Sequence, residues 1–182
     1  MRKNIIQFHV ILAAFFLPIA VMFLVTGALY TVAIRGSYKE TTREVTLAQP
    51  LEPELSAFVA LVEKELGTLS PPTGSASLKG SGASASLDWT GANRDVSLQP
   101  TGNPLTYKLT VKDTTIHRRL VQLHKAKGST FSKAVSIVWS VGLLAMFVSG
   151  FVLAWSVPNY RKTAIIATVA GLVTFILYVF VG

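Results

Sequence analysis

Three histidines, His9, His117 and His124, are the side chains from which a cofactor site would have to be built, because the chain contains no cysteine. Imidazole can do one sharp chemistry, ligation of an iron such as that of haem, or a bland one, hydrogen bonding to headgroups, water or backbone. Spacing limits the first. His9 directly precedes an apolar stretch, Val10 to Ile34, and the other two precede a second apolar stretch beginning near Ala134. If both stretches cross a bilayer in turn, these ends lie on opposite faces with about 30 Å of hydrocarbon between them. His9 then cannot share an iron with the others inside one chain. His117 and His124 fall on one predicted helix and share a face, but their separation of about 10 Å along the axis prevents one haem from taking both. A bis-histidine site would need a second copy, a partner subunit or a different second ligand.

Acid–base and nucleophilic chemistry finds less support. Glu63 and Glu65 are two positions apart, so they point in different directions on a helix and do not pair. Glu40 and Glu44 sit beside Lys39 and Arg43, which reads as a solvated charged patch. Asp88, Asp95 and Asp113 fall near predicted turns or strand ends, where Asp commonly satisfies backbone groups. No Gly-x-Ser-x-Gly turn occurs, and Gly80-Ser81-Gly82 lacks the following Lys and helix of a phosphate loop. No catalytic residue and no metal site is therefore assigned, and an enzyme acting alone is not expected.

The elements that would position these residues are mostly apolar. Hydrophobic residues make up 51% of the 182 and charged ones only 14%, against about 25% charged in an ordinary soluble domain. All nine acidic residues lie between Glu40 and Asp113, and thirteen of the seventeen basic ones between Arg35 and Lys133. The pI of 9.9 does not come from basic runs with interleaved aromatics, so a nucleic-acid partner is not expected. Three membrane spans are predicted: Val10 to Ile34, with Pro18 inside it, then about Ala134 to Val157, then about Thr163 to Gly182. The first is too long for the apolar region of a cleaved signal, so it is expected to remain as an anchor. The short link Pro158 to Lys162 predicts that spans two and three form an antiparallel hairpin, with Trp155 and Tyr160 at the membrane interface. None of the spans contains an ionisable residue, which argues against an ion or proton path.

Small residues recur on the last two spans, Gly142, Ala145 and Ser149 on one and Ala164, Ala167, Gly171 and Thr174 on the other. Such stripes allow close helix approach. They would serve either packing of spans two and three on each other or docking of a larger membrane subunit.

The intervening segment, 35–130, reads as a small α+β domain. An amphipathic helix follows Pro53, with Leu55, Phe58, Val59 and Val62 at helical spacing, and ends near Gly67. Strands are predicted at Thr42–Leu47, Ala76–Lys79, Ala83–Trp89, Val96–Gln99 and Leu105–Val111, suggesting a three- or four-stranded antiparallel sheet under that helix. A second amphipathic helix is predicted from Thr114 to Lys127. Arg2 and Lys3 before the first apolar helix resemble an export signal held with its N-terminus inside. A loop longer than about 60 residues translocates largely regardless of its charge, so the domain is expected on the periplasmic side.

His9 and Thr26-Gly27-Ala28-Leu29, followed by Leu123-His124, Gly128, Ser149-Gly150 and Trp155, resemble the signature of the PepSY-associated transmembrane proteins. The chain would be a short three-helix member, with Val10-Ile11-Leu12-Ala13 where that family usually has Trp and Gly. The resemblance implies a PepSY-like fold for segment 35–130 and a bacterial inner-membrane location. Larger members include haem-containing reductases of ferric siderophores. Two functions follow as expectations. One is a non-catalytic accessory subunit of an inner-membrane complex, linked to redox or iron uptake, with the bilayer and either a larger membrane protein or a second copy as partners and no cofactor. The other is an oligomeric electron-transfer protein holding haem b through His9, His117 and His124.

Overall fold

The computed structural model describes residues 2–181; Met1 and Gly182, the outer limits of the first and third segments above, lie outside the described residues. Three helices are long and apolar enough to cross a membrane: α1 (Arg2–Thr31), α4 (Thr130–Ser156) and α5 (Pro158–Val181). The shortest, with 24 residues, extends about 36 Å at 1.5 Å per residue. Each is apolar all round through its middle, the pattern of a helix in a protein core or a membrane span. α1 runs through Pro18 without interruption.

Only Val157 separates α4 from α5. The residues expected to form a loop, Pro158 to Lys162, instead make the first turn of α5. Proline is well suited to the first helical position, where its missing N–H would have had no partner and its fixed φ matches the helix. The Arg161 Nε donates to the carbonyl of Trp155 (2.7 Å) across this break. No residue of α5 is buried.

The chain divides into two compact units, one containing residues up to Ala20 together with those from Ile137 on, the other Val21–Ser136. The second unit holds a five-stranded antiparallel sheet rather than three or four strands. Its elements are β1 (Tyr38–Thr46), α2 (Leu55–Leu66), β2 (Ala76–Lys79), a 3₁₀ turn at Gly82–Ser84, β3 (Ser86–Thr90), β4 (Arg94–Pro100), β5 (Thr106–Thr114) and α3 (Ile116–His124). Strand order is β1-β5-β4-β3-β2. β1 starts four residues earlier than predicted because its charged half pairs with β5: Lys39 lies opposite Asp113 and Glu40 opposite Lys112. These opposite charges are favourable cross-strand neighbours, and Lys112 reaches Glu40 at 3.0 Å. Local propensity could not show this, since the stabilising partner lies about seventy residues away.

Alternation fixes which face is which. Leu87, Trp89, Val96, Leu98, Leu109 and Tyr107 are buried on one face against Phe58, Leu61, Val62 and Leu66 of α2. Phe58 and Tyr107 meet edge to face, with ring centroids 5.8 Å apart. Burial of each large side chain contributes about 1.5–3 kcal/mol. Gly67 ends α2 at φ +60° with its N–H turned back to Glu63 and Lys64, a conformation glycine adopts without a Cβ penalty.

Candidate functional site

In the first unit, His9 on α1 meets Ser149-Gly150 on α4. The Ser149 hydroxyl donates to the carbonyl of Met146 (2.9 Å). Its proton being used there, its oxygen accepts from His9 Nδ1 at 2.9 Å. Gly150 makes room for the ring: a Cβ at that position would stand 3.2 Å from His9 Cε1. About two turns along the same helix faces, Phe16 packs onto Gly142 so closely that a Cβ there would overlap its ring. Phe16 is itself held edge-on by Trp139, with centroids 4.7 Å apart.

The second unit repeats this arrangement with the roles of the segments exchanged. His124, the last residue of α3, meets Thr26-Gly27 on α1. Thr26 Oγ1 donates to the carbonyl of Met22 (2.6 Å) and stands 2.8 Å from His124 Nδ1, from which it accepts. A Cβ on Gly27 would lie 3.5 Å from His124 Cε1, and the Phe23 ring packs on the imidazole at 4.6 Å. Thr26 and Ser149, one from each clasp, are buried. In both clasps the hydroxyl directs its own proton at a backbone carbonyl, so its oxygen is free to accept from an Nδ1–H. A ring in that tautomer would carry its lone pair at Nε2, the form a histidine takes when it ligates a metal or a haem iron.

The two hydroxyl–glycine dipeptides of the sequence motif are thus seats for histidine rings: the glycine admits the ring and the hydroxyl orients it. Pairing of His9 with Ser149, or of His124 with Thr26, is not recoverable from spacing along the chain. His117 does not join either clasp. It is half-buried on α3, with a buried Nε2 that has no hydrogen-bond partner. Among the described residues, no group of three or more His, Asp or Glu side chains is gathered as a metal site would require.

The small-residue stripes fare differently. On α4, Gly142 receives Phe16 and Ser149 receives His9, so this stripe packs on α1 and not on the third span. On α5, Ala167, Gly171 and Thr174 are exposed and Ala164 is half-buried. A Cβ on Gly171 would meet nothing within 4 Å.

Sequence reasoning missed a polar knot where α3 meets the sheet. Gln122 is 0% exposed, and its amide donates to Asp95 (3.0 Å) and Tyr38 Oη (3.2 Å). Tyr38 donates to Asp95 at 2.6 Å, and the Gly91 N–H adds a third donor to that carboxylate. Burial, then the bond to Asp95, push the Tyr38 pKa up, against the opposing pull of Arg118. The Arg118 guanidinium lies 4.6 Å over the Tyr38 ring. The amphipathic pattern of α3 marked a buried face but not that Gln122 would lie fully inside it.

No family model, no curated protein and no solved structure matches this chain.

Proposed function

We propose that this chain is a non-catalytic accessory protein of a bacterial inner membrane, a short PepSY-type protein with its N-terminus in the cytoplasm and its sheet domain in the periplasm. In this reading α5 docks a larger membrane partner. The observation that carries it is the contrast between the two stripes. On α4 Gly142 and Ser149 are met by side chains of α1, whereas on α5 Ala167, Gly171 and Thr174 are exposed and a Cβ on Gly171 would meet none of the described residues within 4 Å. Close approach through small residues is a principal source of helix association in lipid, where no hydrophobic force drives it. The chain contains no cysteine, so Gly171→Cys introduces a unique thiol. A bifunctional thiol–amine crosslinker applied to native membranes should join it to one defined larger subunit. Leu177→Cys, off the stripe, should crosslink much less. Equal, diffuse labelling of both positions would refute the docking role.

A second reading has its own support. An Nδ1–H tautomer in both clasps would leave each Nε2 lone pair suited to haem iron, and an oligomer would supply the two axial ligands that one chain cannot. Bound haem would supply one-electron redox chemistry; the chain's part would be to hold each imidazole oriented through Thr26 or Ser149. The visible spectrum of the reduced protein separates the readings. A Soret band lost in His9→Ala or His124→Ala supports the haem-holding protein, and a colourless protein refutes it.

A further inference from the structure

We infer that the segment where α1 ends and α3 begins its turn toward α4 carries a specific site for the phosphate of an anionic phospholipid. The site is centred on Tyr30, Arg35 and Lys125, all within the second unit. The Arg35 guanidinium lies 4.9 Å from the Tyr30 ring centroid and the Lys125 ammonium 5.3 Å from it. Lys125 Nζ also reaches Tyr30 Oη at 3.5 Å. Two cations are therefore held around one tyrosine ring, Lys125 also at its hydroxyl, giving a phosphate both charge and a phenolic donor.

Beside them is a cavity of about 140 Å³ lined by Thr26, Gly27, Tyr30, Val121, His124 and Lys125. Its lining passes from the cationic head of Lys125 to the apolar surface of Val121 and Gly27. A phospholipid needs that gradient where its headgroup meets its glycerol and first methylenes.

Charge complementarity names the occupant. Strips 35–39 and 114–133 contain seven Lys and Arg residues and no Asp or Glu. Arg118 adds a guanidinium to this collar, donating to the Arg35 carbonyl at 3.2 Å and so tying the start of α3 to the chain leaving α1. The close approach depends on Gly36, at φ +71°, where a Cβ would lie 2.6 Å from the Arg118 backbone nitrogen. Basic residues next to an apolar helix are attracted to anionic lipid by about 1 kcal/mol each. Tyrosine at such a level presents an apolar ring and a polar tip to the interface. Here Tyr30 and Lys125 line one cavity, and Arg35 lies over the same tyrosine ring.

The inference rests on the membrane reading, and the two can fail separately. Alkaline carbonate extraction tests that reading alone: release of the chain from membranes refutes it whatever the lipid result. For the site, the full chain in a zwitterionic detergent is titrated with short-chain phosphatidylglycerol, phosphatidylcholine of the same length, and inorganic phosphate, following thermal stability. Phosphatidylglycerol should stabilise at concentrations where the other two do not. The double variant Arg35→Gln/Lys125→Gln should bind it roughly 30-fold more weakly, and Arg35→Lys/Lys125→Arg should retain most of the affinity. Equal stabilisation by phosphatidylcholine, or unchanged affinity in the glutamine variant, overturns the site. Competition by inorganic phosphate at equal concentration overturns the lipid as its source. Should the glutamine variant not fold, salt decides: affinity of the native chain for phosphatidylglycerol must fall as ionic strength rises, and a salt-independent affinity overturns the proposal.

Discussion

Replacing Gly142 by alanine tests whether the α1–α4 contact is set by the fit of Phe16 against bare backbone. A methyl at residue 142 would fall inside the Phe16 ring. The ring cannot simply swing away. Phe16 is 5% exposed, with Trp139 edge-on at 4.7 Å and Phe15 at 5.1 Å. Overpacking of this kind costs about 1–3 kcal/mol. A glycine-to-alanine change in a helix interior also gains about 1 kcal/mol of helix propensity, which would mask part of the effect. Gly171→Ala on α5 is the control: both glycines lie in the middle of long apolar helices, so the propensity gain is shared and the difference isolates the steric cost. In the detergent-solubilised monomer, Gly142→Ala should therefore be less stable than Gly171→Ala by about 1–3 kcal/mol, read from reversible unfolding in mixed micelles. Adding Phe16→Leu should recover much of the loss, a coupling expected only for side chains in contact. If Gly142→Ala matches or exceeds Gly171→Ala in stability, the packing of Phe16 on Gly142 is wrong.

Thr26→Val keeps the shape of the side chain but removes the acceptor for His124, leaving a half-buried N–H without a partner. It should cost about 1–3 kcal/mol in thermal unfolding, whereas Thr26→Ser should cost much less. Ionisation of Tyr38 should destabilise the sheet domain at alkaline pH. Its folded pKa is raised from 10.0, so its contribution is complete below pH 10 and is lost as pH climbs from there through the folded value. The stability gap between the native chain and Tyr38→Phe should shrink over that range; a gap that widens would contradict the assignment. Phe58→Ala, at the centre of the contact between α2 and the sheet, should cost about 3–5 kcal/mol, measured by denaturant unfolding followed through Trp89 fluorescence.

Local pattern alone was enough to identify the three apolar helices, because helix length and the absence of charge are properties of consecutive residues. It was also enough to place α2, whose apolar positions recur every three to four residues, and to mark Gly67 as its end. The histidines and both hydroxyl–glycine dipeptides were visible as motif residues. Their chemistry was not, since a hydrogen bond between residues 140 positions apart, as for His9 and Ser149, is decided by which helices pack. The tautomer of each ring likewise depends on a backbone carbonyl that the hydroxyl finds only after the helix has formed.

Tertiary structure alone decided where the small residues are used. Composition made the stripes of α4 and α5 look equivalent, and a short Pro-Asn link made them look like partners. Packing assigned the first to Phe16 and His9 of α1 and left Ala167, Gly171 and Thr174 of the second exposed. Pro158 is the physical reason the link reads as a loop and is a helix: it starts a helix as readily as it ends one. The polar knot belongs to the same class. Nothing local to Gln122 shows that Asp95 and Tyr38 will meet it, and their convergence gives partners to the buried amide N–H groups while Oε1 finds none.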